Sequence, residues 1–156
     1  MQNGLLSVEN DIAVLKVLGF INDVPINQLS TIRPHSILYG RNADVVGCGR
    51  GNNSFINVIH QTASLTILPH DECSEIITRL FDTYVEVPEK YICSVGHPYT
   101  YVNDGDSGAP FFYHQTLIGV TIGDCPTMNE FNPDKVNIHA GVAYYNCFID
   151  DMLNNY

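Results

Sequence analysis

Seven short segments rich in Val, Ile, Tyr and Phe, at residues 44–48, 56–60, 65–68, 91–95, 110–114, 117–122 and 136–143, are separated by stretches that carry Gly, Pro, Asn and Asp. Short apolar runs bounded by turn residues read as strands, and no helical segments alternate with them as a parallel sheet would require. The rhythm predicts an antiparallel barrel or sandwich. A further apolar run at 12–18, bounded by Asn10-Asp11 and Gly19, reads as another buried strand, and the Asn, Asp, Pro and Gly of residues 22–43 read as a linker. Two helices are predicted. One starts at Pro69-His70-Asp71-Glu72 with acids in its first turn and Ile76, Ile77, Leu80 and Phe81 at helical spacing; the other runs over 144–153 with Tyr145, Phe148, Ile149 and Met152 on one stripe.

Charge and hydropathy remove several classes of function. A net charge of -10 with only seven Lys and Arg argues against nucleic acid, which needs clustered cations. No apolar run approaches the roughly 20 residues that span a bilayer, so no membrane partner is expected. The first residues lack the basic-then-apolar pattern of a signal peptide. The five cysteines include no C-x-x-C pair and no His stands at ligand spacing from them, so neither a metal site nor a cofactor is expected. Asn52-Asn53-Ser54 has the form of a glycosylation sequon in a turn-rich stretch and reads as a plain loop.

The chemistry concentrates at Gly105-Asp106-Ser107-Gly108-Ala109-Pro110, followed by Phe111-Phe112-Tyr113. Glycines on both sides of a lone hydroxyl permit a tight turn that presents Ser107 with the N–H groups of Gly105 and Ser107. Asp104 and Asp106 in this turn are too sparse to argue for a cation site.

The hexapeptide resembles the Gly-Asp-Ser-Gly-Gly-Pro signature of chymotrypsin-like serine peptidases, with Ala109 for the second paired glycine. Other landmarks follow in that family's order. Asn10-Asp11-Ile12-Ala13-Val14-Leu15-Lys16-Val17 is similar to the segment carrying the triad aspartate, and Val24-Pro25-Ile26 to the proline after it. Gly47-Cys48-Gly49 stands for Gly-Trp-Gly, Leu117-Ile118-Gly119-Val120-Thr121 for the strand after the serine, and residues 142–149 for the closing helix, with Phe148 for Trp. The resemblance reaches nearly the whole chain but only the second two-thirds of the family's domain.

That resemblance implies an all-β fold of chymotrypsin-like antiparallel barrels. Residues 1–30 would be a remnant of the first barrel and the crossover, 31–143 a largely complete second barrel, and 144–156 a C-terminal helix. It implies Ser107 as nucleophile, Asp11 as orienting carboxylate, Gly105 and Ser107 as oxyanion hole, and Asp106 as the partner of an activation-generated N-terminal amine. Tyr101, Gly123 and Asn137 fall at the substrate-pocket positions, and Tyr101 does not support a fixed preference for Arg or Lys. Cys73 is implied to pair with Cys93, whereas Cys125 finds Asn103 where its partner belongs. The general base is absent, because no His precedes Asp11, and the six histidines at 35, 60, 70, 97, 114 and 139 stand in other contexts.

Two readings follow, the first favoured by the retention of Gly105-Asp106-Ser107-Gly108 and of Asp11. One is a serine endopeptidase, secreted as its family is and acting on protein or peptide substrates, of which this chain is a fragment lacking its N-terminal half and the catalytic His. The other is a non-catalytic homologue acting as a binding or regulatory module. Either way Ile12, Val14 and Val17 would lack neighbouring strands, and residues 1 to about 30 are expected to stay mobile or to dock loosely.

Overall fold

A computed structural model of the chain describes residues 10–19, 28–51, 59–98, 100–125 and 132–155. The sequon, Val24-Pro25-Ile26 and most of the 56–60 run lie outside them. The strands are β1 (Gln28–Leu29), β2 (Asn42–Gly47), β3 (Gln61–Ile67), β4 (Tyr91–Val95), β5 (Pro110–Tyr113), β6 (Thr116–Cys125) and β7 (Val136–Gly141). The helices are α1 (His70–Phe81) and α2 (Asn146–Asn155), with 3₁₀ turns at His35–Leu38 and Val142–Tyr145. Neighbours run β2-β3-β4-β7-β6-β5 and back to β2, all antiparallel, which closes a six-stranded barrel; β1 adds in parallel to β6.

Closure leaves no free edge among these six strands and explains why their apolar residues share one interior. Leu65, Ile67, Ile92, Phe111 and Ile118 are buried together in it. β5 and β6 form a hairpin whose last pair is Tyr113 with Thr116, and His114 at the turn takes a left-handed φ of 54°. A second core lies between the sheet and α1, where Cys73, Ile77, Tyr91, Cys93 and Ile138 pack. Cys73 of α1 and Cys93 of β4 are disulfide-bonded across a separation of 20 residues, a loop whose closure contributes about 3 kcal/mol on chain-entropy grounds. Cys125 is a buried free thiol whose pKa is pushed up to about 12 by burial first and by the Asp124 charge second, which keeps it protonated.

The N-terminal stretch differs from expectation in two ways. Residues 10–19 form no strand: Ile12 packs on the cluster of Ala140, Val142, Tyr145 and Ile149, while Leu15, Val17 and Leu18 are exposed. An isolated extended run has no ladder to join, so apolar composition alone does not make it a strand. Conversely Gln28, Leu29 and Ser30 are anchored rather than loose, because β1 pairs with β6, the Ser30 amide donates to the Leu117 carbonyl at 3.0 Å, and Asn146 Nδ2 donates to the Ser30 carbonyl at 3.1 Å. The amides of Val14, Leu15, Val17 and Leu18 are therefore expected to exchange hydrogen at near-unfolded rates while those of Ile118 to Thr121 stay protected. Native-state exchange followed by mass spectrometry checks this, and equal protection in a monomer would contradict it.

Candidate active-site turn

The turn that presents Ser107 is clipped to β6. Gly108 N donates to the Thr121 carbonyl at 2.8 Å, Thr121 N to the Ala109 carbonyl at 2.9 Å, and Ser107 Oγ to the Ile122 carbonyl at 3.1 Å. Within the turn, Asp106 N donates to the Asn103 carbonyl and Ala109 N to the Asp106 carbonyl. Gly105 takes φ +93°, a conformation costly for a residue with a Cβ. The serine is exposed, and the amides of Gly105 and Ser107 have no hydrogen-bond partner among the described residues.

Asp106 turns its carboxylate the other way. Oδ1 accepts from Gly49 N at 2.7 Å and Oδ2 from Asn103 N at 2.9 Å. Gly47 and Gly49 must be glycines for this approach, since a Cβ on either would run into the carboxylate. This explains in physical terms the spacing of Gly47-Cys48-Gly49. The same carboxylate lines a cleft of about 600 Å³ together with Gly47, Gly49, Thr100 and Tyr101.

The three pocket positions are drawn together but their polar groups are engaged. Asn137, fully buried in β7, accepts from Val102 N at 2.8 Å through Oδ1 and donates through Nδ2 to the Thr100 carbonyl at 2.9 Å. Tyr101 donates its hydroxyl to the Asn132 carbonyl at 2.7 Å. Gly123 sits opposite Ile138 at a bulge in β6, one residue along from the Asp124–Asn137 pair. The amide of Asn137 thus clamps the 100–102 segment onto the barrel.

Asp11 is not joined to Ser107 by any hydrogen bond among the described residues. Its charge is felt instead at Tyr145, whose buried hydroxyl is pushed up by burial first and by Asp11 second. Nor does any histidine reach the serine. His70 Nε2 donates to the Tyr91 carbonyl at 2.9 Å, His114 is a turn residue, and His60 and His97 are exposed. His139 is wholly inside the barrel: Nε2 meets Ser94 Oγ at 2.8 Å, Nδ1 meets Thr121 Oγ1 at 3.0 Å, and the ring stacks on Phe111 at 4.0 Å. Burial alone lowers its pKa to about 3, so the ring is neutral. Sequence reading passed over this histidine. The available signal was its place in a strand of mostly apolar residues, too little to show a hydroxyl on each side of the ring.

Comparison with known proteins agrees with this architecture. The family model described as Trypsin matches residues 2–149. Curated protein sequences give no match. Among solved structures, the fold is similar to two scabies mite inactivated protease paralogues, S-D1 (TM-score 0.70, 20% identity, 86% of this chain and 57% of that one) and S-I1 (0.63, 22%, 83% and 53%). It is also similar to neuropsin, a serine protease expressed in the limbic system of mouse brain (0.68, 18%, 87% and 57%). The chain spans little more than half the length of each. A family match over nearly all of its residues, on a closed six-stranded barrel with the Gly105–Gly108 turn docked to β6, makes the chain a member of the trypsin family.

Proposed function

We propose that this chain acts as a non-catalytic trypsin-family module that binds a protein or peptide partner and does not cut it. The observation carrying this reading is the Ser107 hydroxyl, which donates to the Ile122 carbonyl and not to a base. A serine nucleophile requires a group to take its proton and a third to orient that group, and all six histidines of the chain are described and otherwise placed. The engaged amide of Asn137 and hydroxyl of Tyr101 support it from the substrate side. Incubation with a diverse peptide library is expected to give no cleavage above that of Ser107→Ala. Cleavage abolished by that substitution would overturn the proposal.

The endopeptidase reading keeps one specific support. The unpaired amides of Gly105 and Ser107 beside an exposed hydroxyl are what an oxyanion site needs. On that reading a base is supplied by a segment outside these 156 residues, and Ser107 exchanges its bond to Ile122 for a bond to that base. Secretion, expected from the family's habit, belongs to the same proposal.

A further inference from the structure

On another face of the barrel, a cleft of about 660 Å³ opens where the 3₁₀ turn at His35–Leu38, the start of α1 and residues 86–89 meet. His35 lines it at 3% exposure; the Tyr91 backbone carbonyl acts on the ring, but no hydrogen bond of good geometry satisfies either nitrogen among the described residues. Such a buried, unpaired group is costly and asks for an explanation. The ring is pressed against Gly141, where a Cβ would collide with it, so it cannot retreat from the cleft. Burial, followed by the charge of His70, lowers its pKa to about 4, which leaves it neutral with one nitrogen as acceptor at neutral pH.

Three exposed carboxylates, Asp71, Glu86 and Glu89, line this cleft; Glu89 accepts a long hydrogen bond from the Tyr144 hydroxyl at 3.4 Å, and none of the three is in an ion pair among the described residues. Tyr144 lies edge-on to His35 at 5.0 Å between ring centroids, and Tyr39 stacks on His70 at 6.4 Å. The chain's own Arg33 shows what these walls accept: its guanidinium lies over the Tyr144 ring at 4.8 Å, with Nε donating to the Ala143 carbonyl at 2.7 Å. An anion would meet three like charges. No group of three metal-ligating side chains gathers among the described residues, so a metal ion is not indicated.

We propose that this cleft binds a cation of the guanidinium or ammonium class, carried by a basic side chain of a partner protein or by a small amine. Asp71, Glu86 and Glu89 take the charge, and His35 accepts one of its N–H donors. The inference holds whether or not Ser107 reacts, so failure of either idea leaves the other standing.

The test is titration of the ¹⁵N-labelled chain at low ionic strength with acetyl-Gly-Arg-Gly-amide, its citrulline counterpart and butylguanidine. Amide shifts are expected to concentrate at Ser36, Tyr39, Ser74 and Val87. Affinity is expected to fall about tenfold or more for citrulline, and similarly for the double variant Glu86→Gln with Glu89→Gln. Those two residues are exposed, so the variant tests the site even if His35→Gln fails to fold. Tighter binding of the peptide than of butylguanidine identifies a protein partner, and the reverse a small amine; both support the site. Equal binding of citrulline, unchanged binding by the double variant, or shifts scattered over the acidic surface would overturn it.

Discussion

Phe111→Ala is expected to destabilise the fold by about 3–5 kcal/mol. Phe111 is fully buried in β5, the strand that pairs with β2 on one side and β6 on the other. Its ring lies nearly parallel to that of His139, 10° between planes. Truncation leaves a cavity in a closed barrel whose strands have little freedom to collapse, and it removes the face on which a buried imidazole rests. Because Ala109 leads directly into this strand, the Ser107 turn is expected to loosen with it. Urea unfolding of wild type and variant measures the cost. Leu15→Ala, at a side chain 86% exposed, serves as the comparison and should stay within about 0.5 kcal/mol. A cost below about 1 kcal/mol for Phe111→Ala would mean that the barrel is not packed around this ring.

Acid is expected to unfold the protein through the same place. His139 is neutral in the fold with a pKa of about 3, against 6.5 for the free side chain. The unfolded chain therefore takes up the proton first, and stability falls as pH drops below 6.5 until the folded pKa is reached. Each pH unit inside that window costs up to about 1.4 kcal/mol, or about 2–3 kcal/mol by pH 4.5. His35, lowered to about 4 chiefly by burial, acts in the same direction. Urea midpoints measured from pH 7.5 down to 4.5 should fall steadily, and His139→Gln should flatten part of that slope. A flat profile in wild type would contradict the buried, neutral assignment.

The barrel was legible in the sequence because each of its strands carries its own turn residues and an apolar run. α1 was legible from the spacing of Ile76, Ile77, Leu80 and Phe81, and Tyr145 and Ile149 marked the region of α2, although the chain first makes a 3₁₀ turn there. Boundaries shifted where pairing extended a strand beyond its apolar residues, as in β3, which begins at Gln61 opposite Gly47. The 12–18 run misled for the converse reason: it has the composition of a strand and no partner to pair with. The glycines flanking Ser107 could be read as permitting a tight turn, whereas the reason for Gly47 and Gly49 appears only in the structure, in the approach of the Asp106 carboxylate. What the chain order could not reveal was which atoms meet across it. The bond from Ser107 to Ile122, the clamp of Asn137 on Thr100 and Val102, and the unpaired nitrogens of His35 join positions far apart in sequence.

Covalent labelling of Ser107 tests the central claim most directly. A fluorophosphonate probe reacts with a serine whose proton is being withdrawn, and it needs neither a fitting substrate pocket nor turnover. With its hydroxyl bound to the Ile122 carbonyl and no histidine in reach, Ser107 is expected to label at the level of Ser107→Ala and of the denatured chain. Stoichiometric labelling of the folded protein, mapped to Ser107 and abolished in Ser107→Ala, would show an activated nucleophile and contradict the non-catalytic account.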